Sequence, residues 1–520
     1  MSATLFKIVQ KAYRDSVSLM QLSALLAKLP GVEQASAVMA TENNLALLAE
    51  AGMRVDAEGA HANDLLIVVQ GERSALPAAI EEAIRNLTRQ NEDPATQPRA
   101  ASRPRSIDMA LKTGAESNLA LISTPGDYAA AEAMKALRLG LNVMLFSNNV
   151  AQEEERALKE FARTRDLIVM GPDCGTAIVN GIPLAFANVV RRGPIGAVAA
   201  SGTGLQQVTV LADRLGAGIS QAVGTGGRDL HREIGGISML KGLADLAADP
   251  ATRVIVLLSK PPAPEVARRV LAEAAKAGKP VVVNFLGADP GSVARSGVHA
   301  VRTLEDAARA AVAIVKGEQP RESYAEPVAA PSGLRFAPTQ RYLRGLYSGG
   351  TFCYEASLLL GELLPEVYSN TPTRQAAELD DPWQSRCHTL VDLGDDIFTR
   401  GRPHPMIDYR LRTERIVKEA EDPETALILL DVVLGFGSHP DPASELVPAI
   451  HRARAVAAAH GRTLAFVGQI CGTAADPQDL ARQSRALSEA GMLLTESNAQ
   501  AVRLAAAIAA ALGAPGAKRR

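Results

Sequence analysis

The chain has 520 residues, 47% hydrophobic and 22% charged, with a formal net charge of −2. That length allows three or four domains with ample core, and the near-neutral balance gives no electrostatic basis for binding nucleic acid. Cys174, Cys353, Cys387 and Cys471 stand far apart with no CxxC pair, which argues against a structural zinc site or a disulfide framework and fits a reducing compartment.

From the N-terminus, MSATLFKIVQKAYRDSVSL lacks a long apolar segment and a small-residue cleavage site. No later run approaches the apolar length that spans a bilayer, so a cytoplasmic, membrane-free protein is expected. Residues 1–90 read as a small α/β region: an amphipathic helix over SVSLMQLSALLAKLP, a buried strand at DLLIVVQ and a helix at ALPAAIEEAIRNLT. Ahead of the first helix lies Tyr13-Arg14-Asp15-Ser16, where Asp15 or Ser16 is expected as the N-cap. Residues 88–106 and 316–340, rich in Pro, Ser and charge, read as linkers.

Between them, strands near 118–124 and at NVMLFS and DLIVMG alternate with the helices AAAEAMKALRLG and EEERALKEFARTR. The alternation restarts at residue 194 with the strands IGAVAA, GISQAVG, RVIVLLS and PVVVNFLG. Short apolar strands separated by helical patterns imply βαβ crossovers and a mostly parallel, doubly wound α/β fold. The C-terminal block repeats this unit. IGAVAA-SGTG-LQQVTVLADRLG is matched by YLRGLY-SGGT-FCYEASLLLGELL, each a strand ending at a Ser-Gly loop that opens a helix. The terminal Lys518-Arg519-Arg520 reads as a frayed end.

The duplicated loops carry the chemistry. Glycine lets the backbone turn sharply and present bare N–H groups, and the helix that follows adds unsatisfied donors and the positive end of its dipole. Ser201, Gly202, Thr203 and Gly204 in the first loop, and Ser348, Gly349, Gly350 and Thr351 in the second, are therefore candidate phosphate or carboxylate ligands. Gly226 and Gly227, in GTGGRD after the strand GISQAV, are further candidates, as is Lys260 after RVIVLL. Arg400, Arg402 and His404, in RGRPHPMID after TLVDLG, bring two fork-shaped cations and a group able to move a proton near neutral pH. The eight histidines are scattered, with no HExxH or paired spacing, so no metal is expected. There is no GxxxxGK[ST], no GxGxxG after a first strand and no GxSxG. Cys174 and Cys471 are expected as small buried hydrophobes.

MGPDCGTAIVNGIPLAFANV, GPIGAVAASGTG, GISQAVGTGGRDL and KPVVVNFLG resemble, in order and spacing, the succinyl-CoA synthetase α-subunit. Together with YRDSVSLM, LISTPGDYAAAEA, LLSKPPA, LYSGGT, DLGDD and GRPHPMID they resemble the FdrA proteins more closely, over nearly the whole chain. The resemblance implies a Rossmann-like CoA-binding-type domain at 107–190, then two flavodoxin-like ligase-type domains at 191–317 and 340–515. It also implies that the two helix starts, which lie on separate subunits in the synthetases, are joined here in one polypeptide. His299, in SGVHAVRTLEDAA, stands where the synthetases carry their phosphorylated histidine, without the flanking glycines. The synthetases' glycine-rich CoA loop and an ATP-grasp domain have no match.

What the FdrA resemblance implies is a subunit of oxamate carbamoyltransferase, which converts oxalurate and phosphate to oxamate and carbamoyl phosphate in purine and allantoin catabolism. No cofactor is then required, phosphate is the co-substrate, the other substrate is a carboxylate bearing a ureido group, and two further subunits are expected. Two alternatives stay open. One is an NDP-forming acyl-CoA synthetase using CoA, a nucleotide and His299, and the other is a non-catalytic regulatory or assembly subunit.

Overall fold

The computed structural model describes residues 2–53, 55–56, 59–89, 104–113, 116–294, 296–400 and 402–513. Residues 90–103 of the first expected linker, Gly401 and the basic C-terminus lie outside them. The chain forms two compact units, one of residues 1–150 with 395–408, the other of 151–394 with 409–520.

In the first unit, Leu65–Glu72 is the middle strand of an antiparallel sheet, flanked by Ser2–Val9 and Val32–Met39. Its apolar run Leu65–Val69 is buried on both faces. Helices Ser16–Leu26 and Leu76–Arg89 pack on one face through Leu19, Leu22, Leu26, Ile80 and Ala83. Leu48, from helix Glu42–Glu50, joins Met53, Leu66 and Val68 on the other. Asp15 is the N-cap of the first helix, accepting from the Ser18 amide at 3.0 Å. A βαβ segment follows, with Leu119–Ile122 and Asn142–Leu145 parallel and joined through helix Gly126–Arg138.

The second unit holds two seven-stranded sheets. The first runs, edge to edge, His299–Ala300, Val281–Phe285, Val254–Ser259, Arg192–Ala200, Ile219–Gly224, Thr176–Val179 and Ile182–Ala185. It is parallel except for the hairpin 176–185, which covers the free edge of Ile219–Gly224. A domain boundary at residue 190 is therefore not where the sheet divides. Asn180 and Gly181, at φ +52° and +79°, make the hairpin's tight turn. The second sheet runs Ala377–Glu378, Val367–Ser369, His388–Asp392, Tyr342–Tyr347, Thr425–Val433, Ala465–Cys471 and Met492–Thr495, all parallel. In each, the first of the parallel strands, Arg192–Ala200 or Tyr342–Tyr347, is central and its parallel successors add on either side. The carboxyl ends of Arg192–Ala200 and Tyr342–Tyr347 are thus topological switch points, where successive connections leave in opposite directions and open a crevice. Among the described residues no helix is long and apolar enough to cross a membrane.

Candidate functional site

Both switch points lead directly into a helix, Gly202–Arg214 and Gly350–Leu363. The two helix starts meet: Ser201 Oγ and Thr351 Oγ1 are 2.7 Å apart, and a Cβ built on Gly349 would stand 3.0 Å from the Thr203 methyl. The opening N–H groups of a helix have no partner within it. Ser201 caps the first helix, its Oγ accepting from the Gly204 amide at 3.1 Å, which leaves the amides of Gly202 and Thr203 at the open end. Gly349 caps the second with no side chain, leaving Gly350, Thr351 and Phe352. This contact brings two positive dipole ends, with these amides and the hydroxyls of Ser201, Thr203 and Thr351, beside one another, an arrangement that suits an oxyanion.

The loop before the second helix is already committed. Asp431, fully buried in strand Thr425–Val433, accepts from the Ser348 amide and hydroxyl at 2.8 Å each and from the Gly349 amide at 2.9 Å. Arg412, equally buried, pairs with the same carboxylate at 2.6 Å and donates to the Leu346 carbonyl at 2.8 Å. Ser348 and Gly349, expected as anion ligands, instead hold a protein carboxylate, and the amides beyond them carry the ligand-facing role. Pairing with Arg412 neutralises Asp431. Asp392 lies against Gly350, where any Cβ would run into its Oδ2, so one carboxylate borders the second helix start. Sequence reasoning missed both acids; the signal was a lone Asp inside the apolar run ALILLDVVLG. Gln207 lies one turn beyond Thr203 on the same helix face, and Gln469 is in register with Asp431. Both are buried, and among the described residues their amides have no hydrogen-bond partner.

Lys260 follows Ser259, which is in register with Ala200, so it sits at the same sheet edge as Ser201. Its Nζ lies 5.6 Å from the centre of the Tyr354 ring on the second helix. Gly226, at φ +84°, lies so close to the Pro172 carbonyl that a Cβ would collide with it, while Gly227 has open space beside it. The loop they occupy is held by Lys159, fully buried, which bonds Asp229 at 2.7 Å, Glu155 at 2.9 Å and the Thr225 carbonyl at 2.9 Å. Asp229 in turn accepts from the Met239 amide at 2.8 Å. These contacts give GTGGRD a structural task. His299 lies in an edge strand three strands from Arg192–Ala200, about 14 Å across the sheet, with Nε2 3.2 Å from the Arg321 carbonyl.

Burial pushes the Cys174 and Cys353 thiols up to about 12, and Cys471 higher still, so none supplies a thiolate near neutral pH. The carboxyl of Glu355, buried in the second helix, is raised by desolvation to about 7. Its two oxygens accept from the Leu304 amide and from Asn498 Nδ2, each at 2.8 Å.

Arg400, Arg402 and His404 belong to the first unit, and the helix starts to the second. Arg400 and Arg402 line a cavity of about 370 Å³ there, with Thr41, Asn44, Pro125–Asp127, Asn148, Asn149 and Asp396. His404 Nδ1 accepts from the Met406 amide at 3.3 Å.

Comparison with known proteins adds to this geometry. Three family models match: "AllF, heavy metal-associated domain" at 1–104, "CoA binding domain" at 192–287 and "CoA-ligase" at 346–508. The first description implies a metal that the residues do not fit. Residues 1–104 contain no cysteine and a single histidine, His61, and no group of three or more potential metal ligands occurs among the described residues. The chain is 45% identical over 502 residues to the uncharacterized protein YahF of Escherichia coli (strain K12), covering 95% of this chain and 96% of YahF. It is 27% identical over 154 residues to the succinate–CoA ligase [ADP-forming] subunit alpha-2, mitochondrial, of Trichomonas vaginalis, covering 28% of this chain and 47% of that protein. The dinucleotide-forming acetyl-coenzyme A synthetase 1 of Ca. Korarchaeum cryptofilum is similar at 15% identity and a TM-score of 0.34, over 82% of this chain and 91% of that one.

Proposed function

The chain belongs to the FdrA family of succinyl-CoA-synthetase-like proteins, and from that premise we propose that it is the phosphate-binding subunit of an acyl-phosphate-forming transferase, oxamate carbamoyltransferase. The observation that carries this reading is the meeting of the two helix starts at Ser201 and Thr351, 2.7 Å apart within one polypeptide. Phosphate held by the amides of Gly202, Thr203, Gly350, Thr351 and Phe352 and by the hydroxyls of Thr203 and Thr351 is fixed in position with its charge spread over preorganised dipoles, and these dipoles also meet the charge that develops on the carbonyl oxygen. A phosphate oxygen attacks the carbamoyl carbon of oxalurate, the carbon–nitrogen bond to the oxamate portion breaks, and that nitrogen takes a proton. Carbamoyl phosphate and oxamate leave. Lys260, at the adjacent strand end, supplies a positive charge to this edge. The chemistry uses no nucleotide and no phosphohistidine, in keeping with the position of His299. Two partner subunits complete the enzyme, and the cytoplasm is the compartment assigned.

The family models for CoA binding and CoA ligation, and the succinate–CoA ligase relative, favour a second reading, an acyl-CoA ligase. It requires His299 to carry phosphate between distant positions. The assay that separates the two is carbamoyl phosphate formation from oxalurate and phosphate, with partner subunits present and nucleotide absent. Product is expected. No product, together with ATP- and CoA-dependent acid-labile labelling of His299, would establish the ligase instead.

A further inference from the structure

The cavity of the first unit has a lining unlike that of the helix starts. It opens at the carboxyl ends of the parallel strands Leu119–Ile122 and Asn142–Leu145, the edge at which open α/β sheets bind ligands. At about 370 Å³ it lies at the lower end of the range of small-molecule sites. Helix Gly126–Arg138 begins at its wall without a side-chain cap. Gly126 is wedged so closely against the carbonyls of Asn148 and Asn149 that any side chain would collide with them.

The lining charges then define the ligand. Arg400 and Arg402 offer forked donors suited to a carboxylate. Asp127 and Asp396 line the same space. Two side-chain cations are matched by two side-chain anions, which disfavours a phosphate dianion or a dicarboxylate, while the two acids offer acceptors to N–H groups. Val38, Met39 and Leu47 add apolar surface to the lining.

We propose that this cavity binds a small monocarboxylate that carries its own amide or ureido N–H groups, with Arg400 and Arg402 on the carboxylate and Asp127 and Asp396 on the N–H groups. The choice of oxamate as first probe rests on the transferase reading; the assignment of the cavity does not. Isothermal titration of the full chain with oxamate and with N-carbamoylglycine, against oxalate and inorganic phosphate, tests it. At least one of the first two binds saturably, at least tenfold more tightly than oxalate. Arg402→Ala weakens it at least tenfold, Arg402→Lys less, and Thr351→Ala leaves it within twofold. If N-carbamoylglycine alone binds with this dependence, the cavity assignment stands and only its link to oxamate falls, while the transferase reading is judged by the turnover assay. If neither binds, or if affinity follows Thr351 instead of Arg402, the assignment is wrong whatever the turnover assay shows. Tighter phosphate binding that is lost in Arg402→Ala contradicts the ligand class as well.

Discussion

Asp431 holds the approach to the second helix start with four contacts, three to Ser348 and Gly349 and one to Arg412, and none of these groups reaches solvent freely. Removing one member of a buried ion pair leaves the other charge without compensation, at a cost of roughly 3–5 kcal/mol. Asp431→Ala is therefore expected to lower the unfolding free energy of the second unit by that order, read by urea unfolding, while Thr351→Ala, which removes a methyl and a hydroxyl bonded to Ser201, costs only about 1 kcal/mol. Equal destabilisation by the two would mean that the Asp431 network is not the anchor. Glu355 makes a pH prediction. Its carboxyl titrates at about 7 when folded against an ordinary 4.5, so the folded state holds the proton more tightly. Its stabilising contribution is complete below pH 4.5 and is lost as pH rises through 7, at most about 3 kcal/mol. Glu355→Gln flattens the stability profile across that window; an unchanged slope, followed by urea unfolding at several pH values, would place the titration elsewhere.

At the scale of elements, the close approach of the two helices depends on Gly349. A Cβ there would stand 2.7 Å from Phe352 Cδ2 and 3.0 Å from the Thr203 methyl. Gly349→Ala is expected to push the helix starts apart and weaken phosphate binding at least tenfold, read by titration calorimetry, with the fold retained by circular dichroism. The strand–loop–helix repeats that bring these starts together were legible because buried parallel strands are short continuous apolar runs and Ser-Gly loops stand out between them. The N-cap at Asp15 was legible for the same local reason. Ser2–Val9 was not, since it is an edge strand whose side chains are largely half-exposed and leave no clean alternation. The hairpin 176–185 was missed although Asn180-Gly181 is the strongest short signal for one. The role of Ser348 was misjudged because the acid that occupies it, Asp431, comes from a strand 83 residues further on.

At the scale of the whole molecule, what the sequence could not show is which body a loop packs on. Periodicity reports a face and never its partner, so RGRPHPMID could be placed only after the strand TLVDLG. Residues 395–408 instead belong with 1–150, and their arginines line a cavity with Thr41, Gly126 and Asn148. Two recognition chemistries therefore reside in one chain: opposed helix starts suited to phosphate, and an Arg- and Asp-lined cavity suited to an amidated carboxylate. The direct measurement is the phosphate dependence of carbamoyl phosphate formation by the assembled enzyme, comparing wild type with Thr203→Ala and Thr351→Ala. Nucleotide-free turnover is expected, with a KM for phosphate that rises at least tenfold in each variant. Turnover with an unaltered KM for phosphate in both would contradict it, because the two helix starts would then not be where phosphate binds.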